Sequence, residues 1–296
     1  MTIFDKLLQF FIGGITNGSI YAMVALGFTI VYHTTEIINF AQGEFVMLGA
    51  LLMVSFSLIP GMPLACAFVL AVLGVTVVGI LVNLLVIRPV RNPNHISLII
   101  ITIGASIFIR GIAMQSWAWG KGEYASTPFS GETPILIGNA AMTPQAIWII
   151  GITLTILMLL HFFFENTITG KGMRACAVNP RAASLMGIKV SRMVVITFAL
   201  SGMLGAVAGI IITPTTTASY KMGVMLGLKG FCAAIIGGLG SIPGAIIGGF
   251  VLGVLESMGA GLISSAYKDA IAFVALLVVL FVRPSGILGI GDIKRV

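Results

Sequence analysis

Residues 169–192 read TGKGMRACAVNPRAASLMGIKVSR, and this segment sets the orientation of the whole chain. It carries five basic residues and no acidic one, in a protein in which only 8% of residues are charged. An apolar run ends at Phe164 before it, and another begins at Met193 after it. Positive charge in a short segment between two hydrophobic spans is typical of the cytoplasmic side of a membrane protein. We therefore place this segment inside the cell.

The composition excludes a water-soluble protein. The chain has 296 residues, 58% of them hydrophobic, and a mean hydropathy of +1.12, so a soluble fold would expose too much apolar surface. A membrane-spanning helix needs about 20 apolar residues, and five runs reach that length: 7–35, 45–87, 133–164, 193–220 and 230–255. The net charge of +7 lies in loops beside these runs, which indicates contact with membrane lipid or a cytoplasmic partner and not with nucleic acid. The sequence predicts an all-α, polytopic membrane bundle that forms one domain over residues 1–296.

The remaining loops predict the topology. The basic turn 88–95, RPVRNPNH, is placed inside, and the charge-balanced hydrophilic loop 119–134 is placed outside. Residues 222–258 are interrupted at 237–244, GGLGSIPG, and two short helices are expected there because glycine and proline disfavour a continuous helix. If the tail with Lys294 and Arg295 is also inside, the chain crosses the membrane about eight to nine times. The N-terminus then lies outside and the C-terminus in the cytoplasm.

Two stretches within the apolar runs are candidates for a transport pathway. The first contains Asn39, Gln42 and Glu44, near the start of the second span. Amide and carboxyl groups are costly inside a membrane, so they face a bundle interior or a watery cavity and often mark a transport path. The alternative is that Glu44 lies at the membrane interface or bonds a neighbouring helix for packing alone.

The second stretch is the glycine-rich break at 237–244. Broken helices expose backbone groups that can contact a polar substrate, and corresponding breaks in two halves of a transporter indicate its pathway. We expect 39–44 and 237–244 to form such a pair. Most glycines in and after the break recur every four residues and are expected to allow close helix packing. These are Gly240, Gly244 and Gly248, and Gly249 and Gly253.

No pattern in the chain predicts a catalytic or metal site. Three histidines lie at span ends without ligand spacing: His33, His95 and His161. Three cysteines fit neither a disulfide framework nor a metal motif: Cys66, Cys176 and Cys232. Glu256, Lys268 and Asp269 are interpreted as charges at helix ends. Because no GxxxxGK[ST] phosphate loop is present, the chain is expected to bind no cofactor and not to hydrolyse ATP itself.

Four stretches carry a resemblance to a known family. They are 14–27, GITNGSIYAMVALG; 38–44, INFAQGE; 237–245, GGLGSIPGA; and 281–289, FVRPSGILG. In this order they resemble the LivH-type permease subunit of bacterial branched-chain amino-acid ABC importers, over nearly the whole chain. One departure is that family members commonly carry histidine at the position of Gln42.

The segment 169–192 belongs to the same resemblance. Residues 181–187, RAASLMG, look like the EAAxxxG signature of ABC importer permeases, with arginine in place of the acidic residue. In that superfamily the segment forms a coupling helix that sits in a groove of the ATPase, and Pro180 and Gly187 suit the start and the end of such a helix. The alternative is a generic basic loop at the lipid surface. The residues implied to contact the ATPase are Arg174, Arg181, Ala182, Ala183, Leu185, Met186 and Gly187.

The resemblance implies a type II-like ABC importer permease with inverted-repeat-like halves, in the bacterial inner membrane. The implied partners are a homologous LivM-like permease subunit, two cytoplasmic ATPase subunits that bind ATP and Mg²⁺, and an external substrate-binding protein that docks on 119–134. The implied cargo is a branched-chain amino acid. Urea, short amides or aromatic acids are the alternative cargoes, and a self-contained secondary transporter or channel is the alternative mechanism. The expected pathway residues are Asn17, Ser19, Tyr21, Asn39, Gln42, Glu44, Gly237, Gly238, Gly240 and Ser241.

Overall fold

The computed structural model describes residues 3–90, 94–117, 123–126, 129–131, 133–137 and 140–289. The α-helices within these ranges are α1 (Ile3–Thr35), α2 (Gln42–Ser57), α3 (Leu64–Leu81), α4 (His95–Trp117), α5 (Pro144–Asn166), α6 (Ile168–Val178), α7 (Pro180–Leu185), α8 (Val190–Ile212), α9 (Met222–Gly237), α10 (Ile242–Leu262) and α11 (Lys268–Val282). A π-helix, Val82–Ile87, extends α3, and a 3-10 turn, Ser265–Tyr267, precedes α11. Two short strands, β1 (Ile135–Ile137) and β2 (Ala140–Met142), pair antiparallel with Leu136 opposite Ala141.

Helix lengths agree with the predicted membrane fold. In the described ranges, seven helical segments are long and apolar enough to cross a membrane. The helices α2 and α9 are apolar but have only 16 residues each. Sixteen residues of α-helix rise about 24 Å, which is shorter than the hydrocarbon core of about 30 Å. The predicted fold class, an all-α polytopic bundle with broken helices, is confirmed, and the seven long and two short helices agree with eight to nine spans.

Helix α1 is the centre of the bundle. Every residue from 18 to 31 is buried, so this part of α1 is surrounded by protein on all sides. It packs along α10 through small residues: a Cβ on Gly18 would lie 2.9 Å from the Phe250 Cα, and one on Gly253 would meet the Gly18 backbone. A Cβ on Gly249 would likewise meet the backbone of α1. The predicted packing role of Gly249 and Gly253 is therefore confirmed.

The outer helices α3, α4, α5 and α11 present apolar side chains to the surroundings. Examples are Leu73 of α3 at 55% exposure, Phe108 of α4 at 68% and Met158 of α5 at 75%. In contrast, most of α2 and the second half of α8 are buried. The bundle therefore has an inner layer of α1, α2, α8, α9 and α10 and an outer layer suited to lipid or to another membrane subunit.

The basic segments gather at one end of the bundle, called the basic end below. The last turn of α1 meets the break between α9 and α10, where His33 Nδ1 lies 2.8 Å from the Gly240 carbonyl oxygen. The C-terminal segment 283–289 hydrogen-bonds to the last turn of α9. Ile87 and Arg181 line one cavity with the end of α1. The turn after α3, the α6–α7 segment and the C-terminal segment therefore lie on the same side, as the charge pattern predicts.

The opposite end holds the start of α1 and the longest connection. Ser257 Oγ, late in α10, donates to the Phe10 carbonyl at 2.7 Å. Gln145, at the start of α5, accepts a hydrogen bond from the Phe129 N–H and donates one to the Ile211 carbonyl at 3.0 Å. The predicted loop 119–134 is described only in part. Predicted loop residues outside the described ranges are Arg91, Trp119, Lys121, Glu132, Lys294 and Arg295.

Candidate functional site

Helix α2 begins inside the bundle and not at its surface. Residues 36–41 leave the end of α1 without helical structure, and from Ile37 onward they are buried or half-buried. The side chain of Asn39 accepts a hydrogen bond from the Ala41 N–H at 3.2 Å, and Thr102 of α4 accepts one from the Phe40 N–H at 3.3 Å. Irregular backbone at membrane depth is tolerated only where protein groups satisfy it or line a cavity. Asn39 and Thr102 therefore stabilise the inward start of α2, and no sequence signal predicts this role for Thr102.

Helix α9 begins beside the start of α2. A Cβ on Gly43 would lie 3.1 Å from the Gly227 Cα, and one on Gly223 would lie 3.0 Å from the Gly43 carbonyl carbon. Any larger side chain would separate the two helices, so glycine is required for this contact. The segment 213–221 leads into α9 and forms an antiparallel backbone bridge with Tyr124. The two short helices therefore meet at their first turns.

This arrangement corrects the predicted pairing of 39–44 with 237–244. Gly237 ends α9 at the basic end, and Gly238 has φ of +108°, a conformation that favours glycine. A Cβ on Gly238 would lie 2.6 Å from the Gly289 Cα. The break at 238–241 is therefore a tight turn packed on the C-terminal segment. The start of α9, and not this turn, is the partner of 39–44.

A cavity of about 210 Å³, called the α2–α9 cavity, lies beside the contact between α2 and α9. Its polar residues are Glu44, Ser106 and Arg110. Glu44 accepts a hydrogen bond from Ser106, which is the middle residue of the 23-residue helix α4. Because α4 is long enough to span a membrane, the cavity lies about halfway across the bundle.

The carboxyl group of Glu44 has one partner and one open oxygen. Glu44 is 1% exposed, its Oε1 accepts a hydrogen bond from Ser106 Oγ at 2.8 Å, and its Oε2 is buried without a hydrogen-bond partner. The guanidinium of Arg110 attracts the Glu44 carboxyl electrostatically. Ser106 and Arg110 are four residues apart and therefore share a face of α4. The cavity thus presents a carboxyl group and a cation along one wall.

Part of the cavity lining is an aromatic wall. The ring centroids of Phe28 and Phe231 are 5.6 Å apart, and those of Phe40 and Phe231 are 5.4 Å apart. The rings come from α1, from the segment before α2, and from α9, so only the assembled bundle forms this surface. Small-molecule sites combine such apolar walls with a few polar groups that orient the ligand.

The segment 169–192 is helical at the basic end. Asn179 Oδ1 accepts hydrogen bonds from the N–H groups of Arg181 and Ala182, each at 3.0 Å, and so caps the start of α7. Pro180 is the first residue of α7, as predicted. Gly187 has φ of +84°, and the N–H groups of Gly187 and Ile188 close the helix end in a Schellman motif. The predicted short helix is therefore present, with a cap at Asn179 that adds to the predicted signals.

The residues of this segment differ sharply in exposure. Leu185 is 89% exposed and Met186 is 84% exposed, whereas Ala183 is only 5% exposed. Arg174 pairs with Glu165 of α5 at 2.7 Å, and Arg181, Ala182 and Gly187 are exposed. The end of α7 thus exposes two large apolar side chains, whereas Ala183 contacts the rest of this chain. In α6, burial raises the pKa of the Cys176 thiol, so this thiol remains protonated at neutral pH.

Comparison with known proteins decides the family. Residues 10–280 match the family described as the branched-chain amino acid transport system / permease component. The chain belongs to this family. It is 35% identical to the high-affinity branched-chain amino acid transport system permease protein LivH of Salmonella typhimurium, and 99% of each chain is covered. It is 34% identical to the corresponding permease protein BraD of Pseudomonas aeruginosa, with 98% of each covered.

A more distant relative shows the breadth of the similarity. The ribose import permease protein RbsC of Escherichia coli is 25% identical over 89% of this chain and 82% of that protein. The resemblance stated from the motifs is confirmed by the family match, and the chain is a multi-pass membrane permease.

Gln42, the departure from the pattern of this permease family, does not line the α2–α9 cavity. Its amide nitrogen donates to the Ser201 carbonyl at 3.2 Å, and its amide oxygen accepts from the Ser201 hydroxyl. The side chain is fully buried, and a Cβ on Gly27 or Gly205 would meet its amide nitrogen. Gln42 therefore joins α1, α2 and α8.

The other predicted pathway residues of the permease are dispersed. Of the ten, Glu44 is the one that lines the α2–α9 cavity. Asn17 is half-buried on α1, and Ser19 is buried and donates to the carbonyl one turn earlier in α1 at 2.8 Å. Gly240 and Ser241 line a separate cavity of about 470 Å³ at the basic end. The sequence pattern therefore locates one polar residue of the cavity and misses Ser106, Arg110 and the aromatic wall.

Tyr21, the remaining predicted residue, belongs to a buried ionic cluster. Glu256 lies well inside the range of α10 and is fully buried. Its Oε1 accepts hydrogen bonds from Tyr21 Oη at 3.1 Å and from Lys229 Nζ at 2.9 Å. The same oxygen lies 3.4 Å from Lys268 Nζ. Lys229 also pairs with Asp269 at 2.6 Å. Lys268 and Asp269 do begin α11, as predicted, but the interpretation of Glu256 as a helix-end charge is wrong. The turn between α9 and α10 brings Lys229 to Glu256 across 27 residues, which no local spacing indicates.

Proposed function

We propose that the chain is the membrane-spanning subunit of an ATP-driven importer of branched-chain amino acids. The observation that carries this proposal is the α2–α9 cavity, which is lined by a carboxyl group, a guanidinium and an aromatic wall about halfway across the bundle. Pockets for drug-sized ligands measure about 300–1,000 Å³, so a cavity of about 210 Å³ suits a smaller solute. The similarity to LivH and BraD, which are named as branched-chain amino acid transport system permease proteins, supports the choice of cargo.

The proposed assembly contains a homologous LivM-like permease subunit. The α2–α9 cavity is lined in part by Ile103 and Ile107 of α4, which are 40% and 56% exposed. A second membrane subunit packed on this face would close the cavity and complete a pathway between the two subunits. Ordinary lipid contact would instead leave the cavity open to acyl chains.

Two cytoplasmic ATPase subunits are proposed to bind at the basic end. Leu185, the last residue of α7, and Met186, which follows it, supply protruding large apolar side chains of the kind that anchor protein interfaces. ATP and Mg²⁺ would be bound by those subunits, and we assign no catalytic residue, metal site or cofactor to this chain. The proposed membrane is the bacterial inner membrane, with the basic end and the C-terminus in the cytoplasm and the start of α1 outside.

An external substrate-binding protein is proposed to dock at the opposite end. There the described parts of 119–134 and the segment 213–221 join through the Tyr124 bridge. A solute released at that end would meet the cavity before the basic end, because 213–221 leads directly into the first turn of α9.

Reconstitution in proteoliposomes tests the proposed function. We expect leucine uptake only when the second permease subunit, the ATPases, the binding protein and ATP are all present. Uptake by the purified chain alone without ATP would support a secondary transporter or channel instead. Identification of the ligand bound to the cognate binding protein tests the cargo, and urea, a short amide or an aromatic acid there would replace the branched-chain assignment.

A further inference from the structure

The open oxygen of Glu44 points to a cationic ligand group in the α2–α9 cavity. One carboxylate oxygen is held by Ser106, and the other is buried without a partner. A carboxylate accepts several hydrogen bonds, and an unmatched buried charge is strongly unfavourable. The first turn of α2 offsets part of this cost, because a helix N-terminus favours negative charge. An ammonium group has three donors and the opposite charge, so it matches what Glu44 lacks.

Arg110 supplies a complementary charge on the same wall. It lies one turn after Ser106, about 6 Å further along α4, and lines the cavity with Glu44. Among the ion pairs of the described residues, none joins Glu44 and Arg110. The guanidinium therefore keeps donors for a ligand, and its fork geometry matches a carboxylate.

We propose that Glu44 binds the α-ammonium and Arg110 the α-carboxylate of an amino-acid cargo, and that Phe28, Phe40 and Phe231 receive its aliphatic side chain. This inference rests on the proposed function, because it assigns the recognition of the cargo to residues of the same cavity. Both charged groups of an amino acid are attached to one carbon, and the aliphatic chain leaves from that carbon on another side. The cavity is lined by a carboxylate, a guanidinium and a wall of aromatic rings, so it offers a matching group for each part of this molecule.

The first test uses the complete importer with its binding protein in proteoliposomes. Loss of one charge-assisted hydrogen bond corresponds to about a ten- to hundredfold change, so Glu44→Gln is expected to lower leucine uptake by that factor. Arg110→Gln is expected to do the same, and Arg110→Lys to recover part of the loss because it keeps the charge. Asp5→Asn, which neutralises a carboxylate in the first turn of α1, is the matched control and should transport normally.

The second test measures recognition without the binding protein. Saturation-transfer NMR detects weak ligands, and we would compare leucine with 4-methylpentanoate, which lacks the ammonium, and 3-methylbutylamine, which lacks the carboxylate. The wild-type importer should favour leucine over both analogues. Glu44→Gln should abolish the preference for leucine over 4-methylpentanoate and leave the preference over 3-methylbutylamine intact. Arg110→Gln should do the reverse. A residue with only a structural role would not produce this exchange of preferences.

The outcomes separate the two proposals. If the wild-type importer takes up no amino acid at all, the proposed function fails. If it imports leucine but Glu44→Gln and Arg110→Gln also do so within about twofold, or if the wild-type importer binds both analogues as well as leucine, the recognition inference fails and the proposed function stands.

Discussion

Glu44 and Glu256 are both buried among membrane helices, and each has one carboxylate oxygen without a hydrogen-bond partner. Their other oxygens differ. Glu256 Oε1 lies 2.9 Å from the ammonium of Lys229 and 3.4 Å from that of Lys268, whereas Glu44 Oε1 accepts a single hydrogen bond from Ser106. Glu256 is therefore neutralised by its own chain, and Glu44 lacks an ion-pair partner and lines a cavity.

The comparison shows what a buried charge in a span indicates. A charge that the chain itself neutralises holds helices together, because removal of either partner leaves the other buried and unpaired. A charge with open bonding capacity at a cavity indicates a ligand. Both residues look alike in the sequence, since each is a lone glutamate in an apolar run.

The largest expected effect comes from Lys229→Met. This change leaves Glu256 without its nearest cation and should destabilise the protein by about 3–5 kcal/mol. The loss of stability is measured by heating the protein in detergent and monitoring its unfolding by size-exclusion chromatography. Lys6→Met, at an exposed lysine, is the control. The double variant Lys229→Met, Glu256→Gln should recover part of it. If Lys229→Met kept normal thermal stability but lost transport, the ionic cluster would serve transport. The contrast between a structural Glu256 and a ligand-binding Glu44 would then be wrong.

A second effect applies the same reasoning to the exposed side chains of α7. Leu185→Asp should weaken ATPase binding by at least about 2 kcal/mol, or about thirtyfold, because an exposed apolar anchor is lost. Co-purification of the ATPase with the permease measures this, and Leu58→Asp, also in an exposed apolar position, is the control. Undiminished co-purification would remove α7 from the proposed interface.

Ala183→Leu should act differently, although it lies two residues away. Ala183 is 5% exposed, so a larger side chain overpacks the contact between α7 and its own chain and costs about 1–3 kcal/mol. We expect lower thermal stability of the permease before any ATPase is added. Unchanged stability with lost ATPase binding would restore the expectation from the sequence that Ala183 contacts the ATPase.

Asn179→Ala should have a smaller, local effect. It removes the side-chain acceptor for the Arg181 and Ala182 N–H groups, and loss of such a cap costs about 1 kcal/mol. Hydrogen exchange across 180–187 should accelerate, and Ser184→Ala on the exposed side of the same helix is the control. Equal exchange in both variants would contradict the capping role.

Glu44→Gln should have the smallest effect on stability, below about 1 kcal/mol, because the amide removes a poorly matched buried charge. The thermal assay used for Lys229→Met applies without change, and Glu256→Gln is the matched comparison, expected to cost more. Equal losses from both glutamates would show that Glu44 is a structural residue like Glu256.

Much of the fold could be predicted because its signals are local. Runs of apolar residues predicted the spans, the positive charge of 169–192 placed it beside the other basic segments, and Pro180 and Gly187 marked a helix that the structure confirms. The site was harder to predict from the sequence. Glu44 was visible as a polar residue in an apolar run, but Ser106 lies 62 residues away in the chain, and only packing brings the two together.

The sequence by itself determined that the chain spans a membrane, which loops are basic and where helices break, because hydrophobicity, charge and helix capping act over a few neighbouring residues. Tertiary structure alone decided that α2 meets α9 and that Gln42 hydrogen-bonds to Ser201. It also decided that Glu256 is neutralised by Lys229, whereas one oxygen of Glu44 has no hydrogen-bond partner. The physical reason is that the cost of a buried polar group depends on its partners in space, and those partners are set by helix packing across the whole bundle.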